Sequence, residues 1–337
     1  MIVRRGLLAS FSRGLPALLS RGLPATLLAA PALAQQPALA PCPDRPITVV
    51  VPYAPAGATD IIARLMAPHL QTALGQPVVI ENRGGAATRL GTEAVARARP
   101  DGNTLLLTAA PLAINVGLFP NLGYDPVRDF APITMVMTNP QVLVVRPDGP
   151  ADVAALLAAA RQKPGGLNFG SAAPGSMGHL SMELLASRSG AALTHVAYRS
   201  SAAALTDLLS GTLDGMFDNP STALPLVRDG KLRAIAFTGP TRSAAAPEVP
   251  TMVEQGFAGF TTLNWYGLFA PVGTPAPIIA RLNAAATAAL RRPEIVARLA
   301  ADGTEATPGA PEVLGAWVAR EVALWSALIR ERGISAE

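Results

Sequence analysis

The stretch ITVVVPYAPAGATDIIARLM, residues 47–66, predicts a buried strand, a tight loop and the start of a helix. The apolar run at its beginning is typical of a strand covered on both faces, as in a parallel sheet. Thr59 is a suitable N-cap, and Asp60 in the first turn suits the positive end of the helix dipole. Such a loop directs free backbone N–H groups at one point, which predicts an anion site. Neither a Walker lysine nor a G-x-G-x-x-G motif accompanies it, so a nucleotide is not indicated.

The first 34 residues predict an export signal. They contain four arginines and no acid, and an apolar stretch over residues 23–33 leads to Ala32-Leu33-Ala34. A basic start, an apolar middle and an A-x-A end are typical of a secretory signal peptide, which we place at residues 1–34. The alternative is a disordered basic arm, and the pair Arg4-Arg5 loosely resembles a twin-arginine signal. The apolar part is too short and too interrupted by proline to span a membrane.

Without this leader the chain has no net charge. The 337 residues carry 27 lysines and arginines against 23 acidic residues, and removing the leader's four arginines leaves 23 of each. This balance removes the main support for nucleic-acid binding. Cys42 is the only cysteine, so an intrachain disulfide is excluded. Residues 39–42 resemble a lipoprotein cleavage box, but Pro41 stands where that signal takes Gly, Ala or Ser, so we do not expect a lipid anchor at Cys42.

Strand and helix patterns alternate through the middle of the chain. Strands are predicted over residues 76–81, 104–108, 141–145, 167–170, 194–198, 213–217 and 232–237. Helices are predicted over residues 88–97, 152–161, 177–187, 202–209 and 223–228. Repeated strand–helix units indicate the α/β class, with a parallel sheet covered by helices on both faces.

The C-terminal part differs, because it is predicted to contain one strand followed by helices only. The strand covers residues 265–270, and the helices cover 277–290, 293–301 and 311–332. Trp317 and Trp325 lie on the apolar side of the last helix, which predicts core residues rather than a stacking platform. No strand of the second block is left to pair with this tail, so we expect it to pack on the first block. The chain then crosses between two lobes near residues 140 and 260.

A second glycine-containing loop, FGSAAPGSMGH at residues 169–179, also lies between a predicted strand and a predicted helix. Its glycines and serines present backbone amides and hydroxyls ahead of the helix, which predicts a second anion site. One such loop usually only turns the chain, but two of them, one in each predicted lobe, indicate a shared cleft. Ligands of open α/β sheets bind at the carboxyl ends of the strands, where both loops fall.

Seven stretches in the same order carry a resemblance to a known family. They are VPYAPAGATD (51–60), ARLMAPHLQTALGQPVVIENRGGA (63–86), RPDGNTLLL (99–107), FGSAAPGSMGHL (169–180), HVAYRSSAAALTDLLSGTLDGMFDN (195–219), GKLRAIAFTGPTRSAAAPEVPTMVEQGF (230–257) and WYGLFAPVGTP (265–275). In these stretches the chain resembles the Bug/TctC family, the extracytoplasmic solute receptors of tripartite tricarboxylate transporters. The predicted export signal agrees with this resemblance independently.

The resemblance implies an α/β protein with the type II periplasmic-binding-protein fold, in which two lobes close over a small carboxylate. Lobe 1 is expected to comprise residues 35–141 and 260–337, with the helical tail packed on it, and lobe 2 residues 142–259. The two loops would hold one ligand carboxylate through backbone amides, hydroxyls and bound water. The corresponding positions in this chain are Ala56, Gly57, Thr59 and Asp60 in lobe 1, and Ser171, Ala172, Gly175 and Ser176 in lobe 2. The variable part of the cleft is expected to include Tyr53, Arg89, Ala109, Tyr198, Arg199 and Asp218.

The resemblance also implies a function. It predicts a monomeric periplasmic receptor that delivers its carboxylate to membrane subunits of a tripartite tricarboxylate-type transporter. It implies no cofactor, no metal, no catalytic residue and no nucleic acid. A ligand-sensing protein that signals to a membrane receptor is an alternative, because the same closed pair of lobes could be read by either kind of partner.

The chain departs from the family pattern at several loop positions. Ala56 replaces the first of two glycines, and Ala87 and Arg89 replace Gly and Asn after ENRGGA. Ala197 and Ser200 replace Pro and Gly on either side of Tyr198-Arg199. A methyl group at Ala56 is expected to restrict that residue to negative φ. The guanidinium of Arg89 is expected to favour a ligand with a second carboxylate.

Several candidate residues have a plain structural alternative. Asp60 can fix its own loop rather than contact ligand, because acids favour the first turn of a helix. Arg89 and Arg199 can be solvated surface residues. Tyr53 and Tyr198 can be packing residues at strand ends, and Asp218 can belong to a turn.

A secreted serine hydrolase is the main rival class. Ser176 lies in PGSMG, which lacks the first glycine of the G-x-S-x-G elbow. His179 follows it by one helical turn and could contact its hydroxyl. The three histidines have no metal-ligand spacing, so a zinc site is not expected.

Overall fold

We describe a computed structural model of the chain, which covers residues 43–301 and 303–335. The predicted export signal at residues 1–34 and the cleavage-box residue Cys42 lie outside these described residues. In the described part no helix is both long and apolar enough to cross a membrane.

The described residues form eleven strands and ten helices. The strands are β1 (Ile47–Val51), β2 (Val78–Asn82), β3 (Thr104–Ala109), β4 (Phe130–Pro140), β5 (Val142–Val145), β6 (Leu167–Ser171), β7 (Leu193–Ala197), β8 (Gly215–Asp218), β9 (Arg233–Phe237), β10 (Leu263–Pro271) and β11 (Glu305–Ala306). The helices are α1 (Ala58–Leu74), α2 (Arg89–Ala96), α3 (Pro111–Leu118), α4 (Val153–Gln162), α5 (Met177–Ser189), α6 (Ser201–Ser210), α7 (Pro220–Arg228), α8 (Ala276–Leu290), α9 (Pro293–Ala301) and α10 (Pro311–Arg332). The sequence did not predict α3, β4 or β11.

The strands belong to two sheets, and the fold is the predicted α/β type. One sheet has the order β11-β4-β10-β3-β1-β2, and the other has the order β7-β6-β8-β5-β9. We keep the predicted lobe boundaries as a proposal, because each sheet takes its strands from one of the two predicted lobes. The names lobe 1 and lobe 2 below refer to the first and second sheet with their helices.

Neither sheet is wholly parallel, which corrects the prediction. β1 pairs in parallel with β2 and β3, and β6 pairs in parallel with β7 and β8. β10 is antiparallel to β3 and β4, and β5 is antiparallel to β8 and β9. β5 and β10 enter their sheets from the other lobe rather than through a strand–helix–strand crossover, so nothing imposes the parallel direction on them.

Strand β1 is covered on both faces, as its apolar run predicts. Ile47, Val49 and Val51 pack in a core that includes residues of α1 and α8, whereas Val50 points into a core shared with α10. Both faces of a strand must be apolar for this arrangement, which explains why the run is continuous rather than alternating.

The last helix packs on lobe 1, as predicted, against α3 and β4. Proline at its start and Gly333 in the left-handed region at its end are favourable helix boundaries. Trp325 is fully buried, while Trp317 is only partly buried and lies under the guanidinium of Arg320. Near its C-terminus the helix also contacts α5 of lobe 2, so it touches both lobes.

The chain passes between the sheets at a short connection. Gln141 is the single residue between β4 of lobe 1 and β5 of lobe 2, and the return runs between β9 and β10. The backbone N–H of Gln141 donates to the hydroxyl of Thr238, which follows β9, at 2.8 Å. The two passages are therefore hydrogen-bonded to each other.

Candidate functional site

The loop after β1 is organised by the carboxylate of Asp60. Helix α1 begins at Ala58 after Gly57, so Thr59 is not the N-cap and that prediction was wrong. Asp60 is only 3 % exposed. Its oxygens accept the backbone N–H of Ala56 at 2.9 Å and the side-chain amide of Asn82 at 3.0 Å. Together with the ion pair to Arg64, these hydrogen bonds occupy the carboxylate with partners in its own lobe. This favours the alternative in which Asp60 fixes the loop rather than contacts the ligand.

Ala56 adopts a φ of 66°, so the expectation of a negative φ at this residue was wrong. The left-handed conformation costs a residue with a Cβ roughly 1–2 kcal/mol. The hydrogen bond from the Ala56 N–H to buried Asp60 is part of what holds it there. A second strained segment precedes α2, where Ala86, Ala87 and Thr88 have φ values of 48°, 54° and 75°. Such strain persists only where the surrounding structure over-determines the backbone.

Replacing Asp60 by asparagine is expected to destabilise the protein in a pH-dependent way. Hydrogen bonds from Arg64, aided by those from Ala56 and Asn82, lower the pKa of Asp60 from 3.8 to about 2 against the effect of burial. A lowered pKa contributes stability that is complete above the ordinary value and is lost as the pH falls towards about 2. We expect a loss of about 1–2 kcal/mol near neutral pH, reduced by the solvent exposure of Arg64.

Urea denaturation at several pH values measures this difference, which should shrink as the pH is lowered towards about 3. Asp148→Asn is the matched control, because Asp148 is an exposed acid that pairs with Arg146 at 3.4 Å. The prediction would be contradicted if Asp60→Asn lowered the free energy of unfolding no more than the control does, or by an amount that does not change with pH.

The second loop leads from β6 into α5. Ser176 is the N-cap of α5, and its hydroxyl accepts the backbone N–H of His179 at 3.4 Å. Gly175 adopts a φ of 70°, which favours glycine. Ser171 is 1 % exposed, and its hydroxyl lies 2.7 Å from Nε2 of His195. Ser171 therefore lies behind the loop, whereas Gly175 and Ser176 lie at its surface.

Two cavities lie side by side between elements of lobe 1 and lobe 2. The smaller, of about 190 Å³, is lined by Ala110, Pro111, Ile114, Gln141, Ala172, Gly175, Ser176, Met177, Gly178, Ser201, Phe217, Asp218, Asn219 and Asn264. The larger, of about 330 Å³, is lined by Ala58, Ile61, Ile62, Leu65, Met137, Asn139, Asn219, Ser221, Asn264, Tyr266, Arg298, Leu299 and Thr304. Asn219 and Asn264 line both cavities, and we call the two together the cleft.

A cluster of side-chain amides lies where the two cavities meet. The Oδ1 atom of Asn219 accepts hydrogen bonds from Gln141 at 3.0 Å, Asn264 at 3.1 Å and Asn139 at 3.4 Å. Asn139 and Gln141 stand at the first passage between the sheets, and Asn264 is near the start of β10 after the second. These four residues were not among the predicted site residues. For Asn139, Gln141 and Asn264 the available signal was their position beside the predicted crossing points, and for Asn219 it was its position directly after the predicted residue Asp218.

Asp218 lines the smaller cavity with both carboxylate oxygens engaged. It is the last residue of β8 rather than part of a turn. Oδ1 accepts the hydroxyl of Ser201 at 2.7 Å, and Oδ2 accepts that of Thr222 at 2.5 Å. Burial raises the pKa of Asp218, although these two hydrogen bonds oppose the rise.

The structure gathers only some of the predicted site residues around the cleft. Ala172, Gly175, Ser176 and Asp218 line the smaller cavity. In the first loop only Ala58, which lies between the predicted residues Gly57 and Thr59, lines the larger one. The remaining predicted residues do not line either cavity. Ala109 is buried at the end of β3, and Tyr53 packs against the core of lobe 1.

Of three further predicted residues, two form contacts within their own lobes and one is exposed. Arg89 lies over the ring of Phe119 at 4.4 Å and donates to the backbone carbonyl of Ala86 at 3.0 Å. Tyr198 donates its hydroxyl to Asp207 at 2.7 Å, and Arg199 is exposed. Their part in ligand binding stays a prediction.

The rival Ser–His arrangement is not formed between Ser176 and His179. The ring Nδ1 of His179 accepts the backbone N–H of Gly175 at 3.0 Å, while Ser176 receives only the backbone N–H of His179. Ser171 does contact a histidine ring, but it is buried. Within residues 43–301 and 303–335 no group of three His, Cys, Asp or Glu side chains could hold a metal ion.

Comparison with known proteins identifies the family. Residues 62–334 match the family described as Tripartite tricarboxylate transporter family receptor, TctC. The chain belongs to this family. TctC proteins are extracytoplasmic solute-binding receptors rather than enzymes, which excludes the hydrolase alternative.

Relatives of known sequence cover most of this TctC chain. Protein BugT of Bordetella pertussis is 40 % identical over 294 residues, which are 86 % of this chain and 90 % of BugT. A protein encoded in the tcbD-tcbE intergenic region of Pseudomonas sp. strain P51 is 40 % identical over 296 residues, 87 % of this chain and 88 % of that one.

Solved structures share the fold of this TctC chain over a similar extent. A ligand-free TctC solute-binding protein from Polaromonas has a TM-score of 0.77 at 28 % identity, with 86 % of this chain and 99 % of that one covered. MatC of Rhodopseudomonas palustris with bound malate has a TM-score of 0.67 at 37 % identity, covering 85 % and 99 %. An R. palustris protein with adipate has a TM-score of 0.69 at 35 % identity, covering 87 % and 98 %. The fold is thus the predicted periplasmic-binding-protein type.

Proposed function

We propose that this chain is a periplasmic receptor that captures a small carboxylate between its two lobes. The observation that carries the proposal is the composition of the smaller cavity. Lobe 1 contributes Ala110, Pro111 and Ile114 to it, and lobe 2 contributes the N-terminus of α5 with Gly175 and Ser176. An N-terminus with free N–H groups attracts an anion, and a ligand held there contacts both lobes.

The polar groups of the smaller cavity, rather than its charge, support an anionic ligand. Among the described residues that line the smaller cavity, Asp218 alone is charged, and its oxygens are already engaged by Ser201 and Thr222. A carboxylate there would be bound by N–H groups, hydroxyls and amides rather than by an ion pair. The larger cavity adjoins the smaller one at Asn219 and Asn264, which leaves room for the rest of the ligand.

The structural relatives support the same ligand class. MatC was solved with malate and the second R. palustris protein with adipate, and both ligands are dicarboxylates. We therefore place dicarboxylates first among the candidates, with one carboxylate at the N-terminus of α5 and the other towards the larger cavity.

Closure of the lobes on the ligand is the proposed mechanism. A ligand that contacts both lobes binds the closed arrangement more tightly and so shifts the population towards it.

We further propose that the exported, closed receptor delivers its ligand to a transporter of the tripartite tricarboxylate type. The family description and the predicted signal peptide at residues 1–34 support this step. Deleting the gene should abolish uptake of the bound acid by cells. Normal uptake with a lost transcriptional or chemotactic response would instead favour the sensing alternative.

A ligand screen tests the capture of a carboxylate. Mono-, di- and tricarboxylates are added to the purified mature protein, and the melting temperature is measured. A specific acid at about 100 times its Kd should add about 2.7 kcal/mol to the free energy of unfolding. The uncharged diamide of each active acid is the control and should produce no shift. If no acid shifts the melting temperature and none co-purifies, the proposed function is wrong.

A further inference from the structure

Two stacked histidines hold both ends of the loop between β6 and α5. The ring centroids of His179 and His195 are 3.6 Å apart, and the two ring planes are nearly parallel, with an angle of 12° between them. His195 lies 2.7 Å from the hydroxyl of Ser171 at the start of the loop. His179 accepts the backbone N–H of Gly175 at its end, at 3.0 Å. The loop that lines the smaller cavity is therefore hydrogen-bonded to this ring pair at both of its ends.

The ring pair is connected to the C-terminal helix of lobe 1. Nε2 of His179 lies 3.5 Å from Oε1 of Glu183, and Oε2 of Glu183 accepts Nε of Arg332 at 2.6 Å. His179 and Glu183 are 5 % and 8 % exposed. The preceding residue of α10, Glu331, accepts the hydroxyl of Ser187 on α5 at 2.7 Å. A continuous polar chain thus runs from Gly175 in the cleft to α10.

We propose that His179 and His195 are positioning residues of the ligand-binding loop, and that protonation of His179 weakens ligand binding. The proposal rests on the proposed capture of a carboxylate at this loop. It extends that function by assigning a role to side chains that do not themselves touch the ligand.

The hydrogen-bond roles of His179 explain the effect of protonation. Since Nδ1 accepts the N–H of Gly175, the ring proton of the neutral form is on Nε2, which faces Glu183. The imidazolium form carries a proton on both nitrogens, so Nδ1–H would face the N–H of Gly175. Two donors cannot share a hydrogen bond, and the loop must move away from the ring.

The charged groups around His179 oppose one another. Glu183 on the same helix favours the imidazolium form, whereas Arg332 on α10 and any charge on His195 of β7 disfavour it. Burial, with a contribution from His179, lowers the pKa of His195 to about 4, so His195 stays neutral in mildly acidic solution. Burial raises the pKa of Glu183, but hydrogen bonds from His179 and Arg332 outweigh it, and the pKa of Glu183 lies below its usual value.

The test uses the mature protein, malate as the probe and two readouts. One is the Kd for malate from about pH 8 to about pH 5, the range in which histidine usually changes charge. The other is the NMR resonance of the Gly175 amide over the same range without ligand. We expect the wild-type Kd to rise about five- to tenfold on acidification, as for one lost hydrogen bond. The Gly175 resonance should move with the same midpoint as the His179 ring.

Substitutions separate positioning from mere packing. In His179→Asn the side-chain oxygen can still accept the Gly175 N–H but does not titrate. At the higher pH this variant should bind malate as wild type does. On acidification its Kd should not show the rise that depends on His179. Arg332→Gln removes a positive charge, so its loss of affinity should begin at a higher pH. His69→Asn is the matched control, because His69 lies on α1 and faces Glu294 at 3.5 Å, and it should keep the wild-type profile.

The outcomes distinguish this proposal from the proposed function. Equal pH profiles for His179→Asn and His69→Asn would overturn the positioning role even if malate binds tightly. A Gly175 resonance that does not follow the titration of His179 would overturn it as well. If malate and the other acids do not bind at all, the proposed function fails, and the Gly175 resonance alone still decides whether His179 controls the loop.

Discussion

Replacing Trp325 by alanine should lower the free energy of unfolding by about 3–5 kcal/mol, the usual cost of removing a large aromatic side chain from a core. Trp325 is 0 % exposed at the centre of α10, and its indole N–H donates to Oε2 of Glu321 at 2.7 Å. Glu321 is itself fully buried and also receives the indole N–H of Trp265 at 3.3 Å. The substitution therefore leaves both a cavity and a buried carboxylate with one donor fewer.

Trp317→Ala is the matched control on the same helix. Trp317 is partly buried and stacks with Arg320, whose Cζ lies 4.0 Å from the ring centroid. We expect a loss of about 1 kcal/mol, since less apolar area is removed from the core. Urea denaturation of both variants measures the difference. Equal losses, or a larger loss for Trp317→Ala, would show that Trp325 does not anchor the helix as argued.

Replacing Gly178 by alanine should both destabilise the protein and weaken ligand binding. A Cβ at this position would lie far inside contact distance of the backbone carbonyl oxygen of Phe217 in β8. Because this carbonyl oxygen belongs to the backbone of β8, it cannot rotate away as the end of a side chain can. The N-terminal turn of α5 must therefore move. Overpacking of this kind typically costs about 1–3 kcal/mol. Gly178 and Ser176 line the smaller cavity, so the shift also misplaces the proposed carboxylate site, and we expect at least a tenfold rise in Kd, equivalent to about 1.4 kcal/mol.

Gly190→Ala is the control at the other end of α5. Gly190 has a φ of 65°, and a Cβ there would meet nothing within 4 Å. Gly190→Ala should lower the free energy of unfolding by about 1 kcal/mol, because alanine disfavours the left-handed backbone conformation. Its ligand affinity should be unchanged. Denaturation and calorimetric titration with malate measure the two effects. Gly178→Ala with unchanged affinity would mean that the N-terminus of α5 does not hold the ligand.

The ends of the two loops show how far local sequence can predict a site. The strand, glycine loop and helix around Asp60, and those around Ser176, follow from hydrophobic pattern and helix-start residues, and the structure contains both. The Asp60–Arg64 pair is also local, because residues four apart share one face of a helix. The third partner, Asn82, is 22 residues away and was not predictable from local pattern.

The elements that the sequence did not predict lie close to the cleft. Helix α3 is eight residues long and almost wholly apolar, so it has no amphipathic period to reveal it. Strand β4 contains Pro132 and ends at Pro140, and proline argues against a strand in the interior of a sheet. Yet α3 forms the lobe 1 wall of the smaller cavity, and β4 brings Asn139 to the amide cluster.

Residue order and chemistry alone thus determined the α/β class and the two strand–loop–helix units, because these depend on local patterns. They also determined the family, because its motifs recur along the chain in one order. Only the tertiary structure decided which residues support those loops. The left-handed backbone of Ala56, the amides that meet at Asn219, and the polar chain from Gly175 through His179 and Glu183 to Arg332 each join segments that are distant in sequence or overturn a local preference. Such contacts form only when packing brings the segments together, since the energy that holds a strained or buried polar group comes from its surroundings rather than from its own residue.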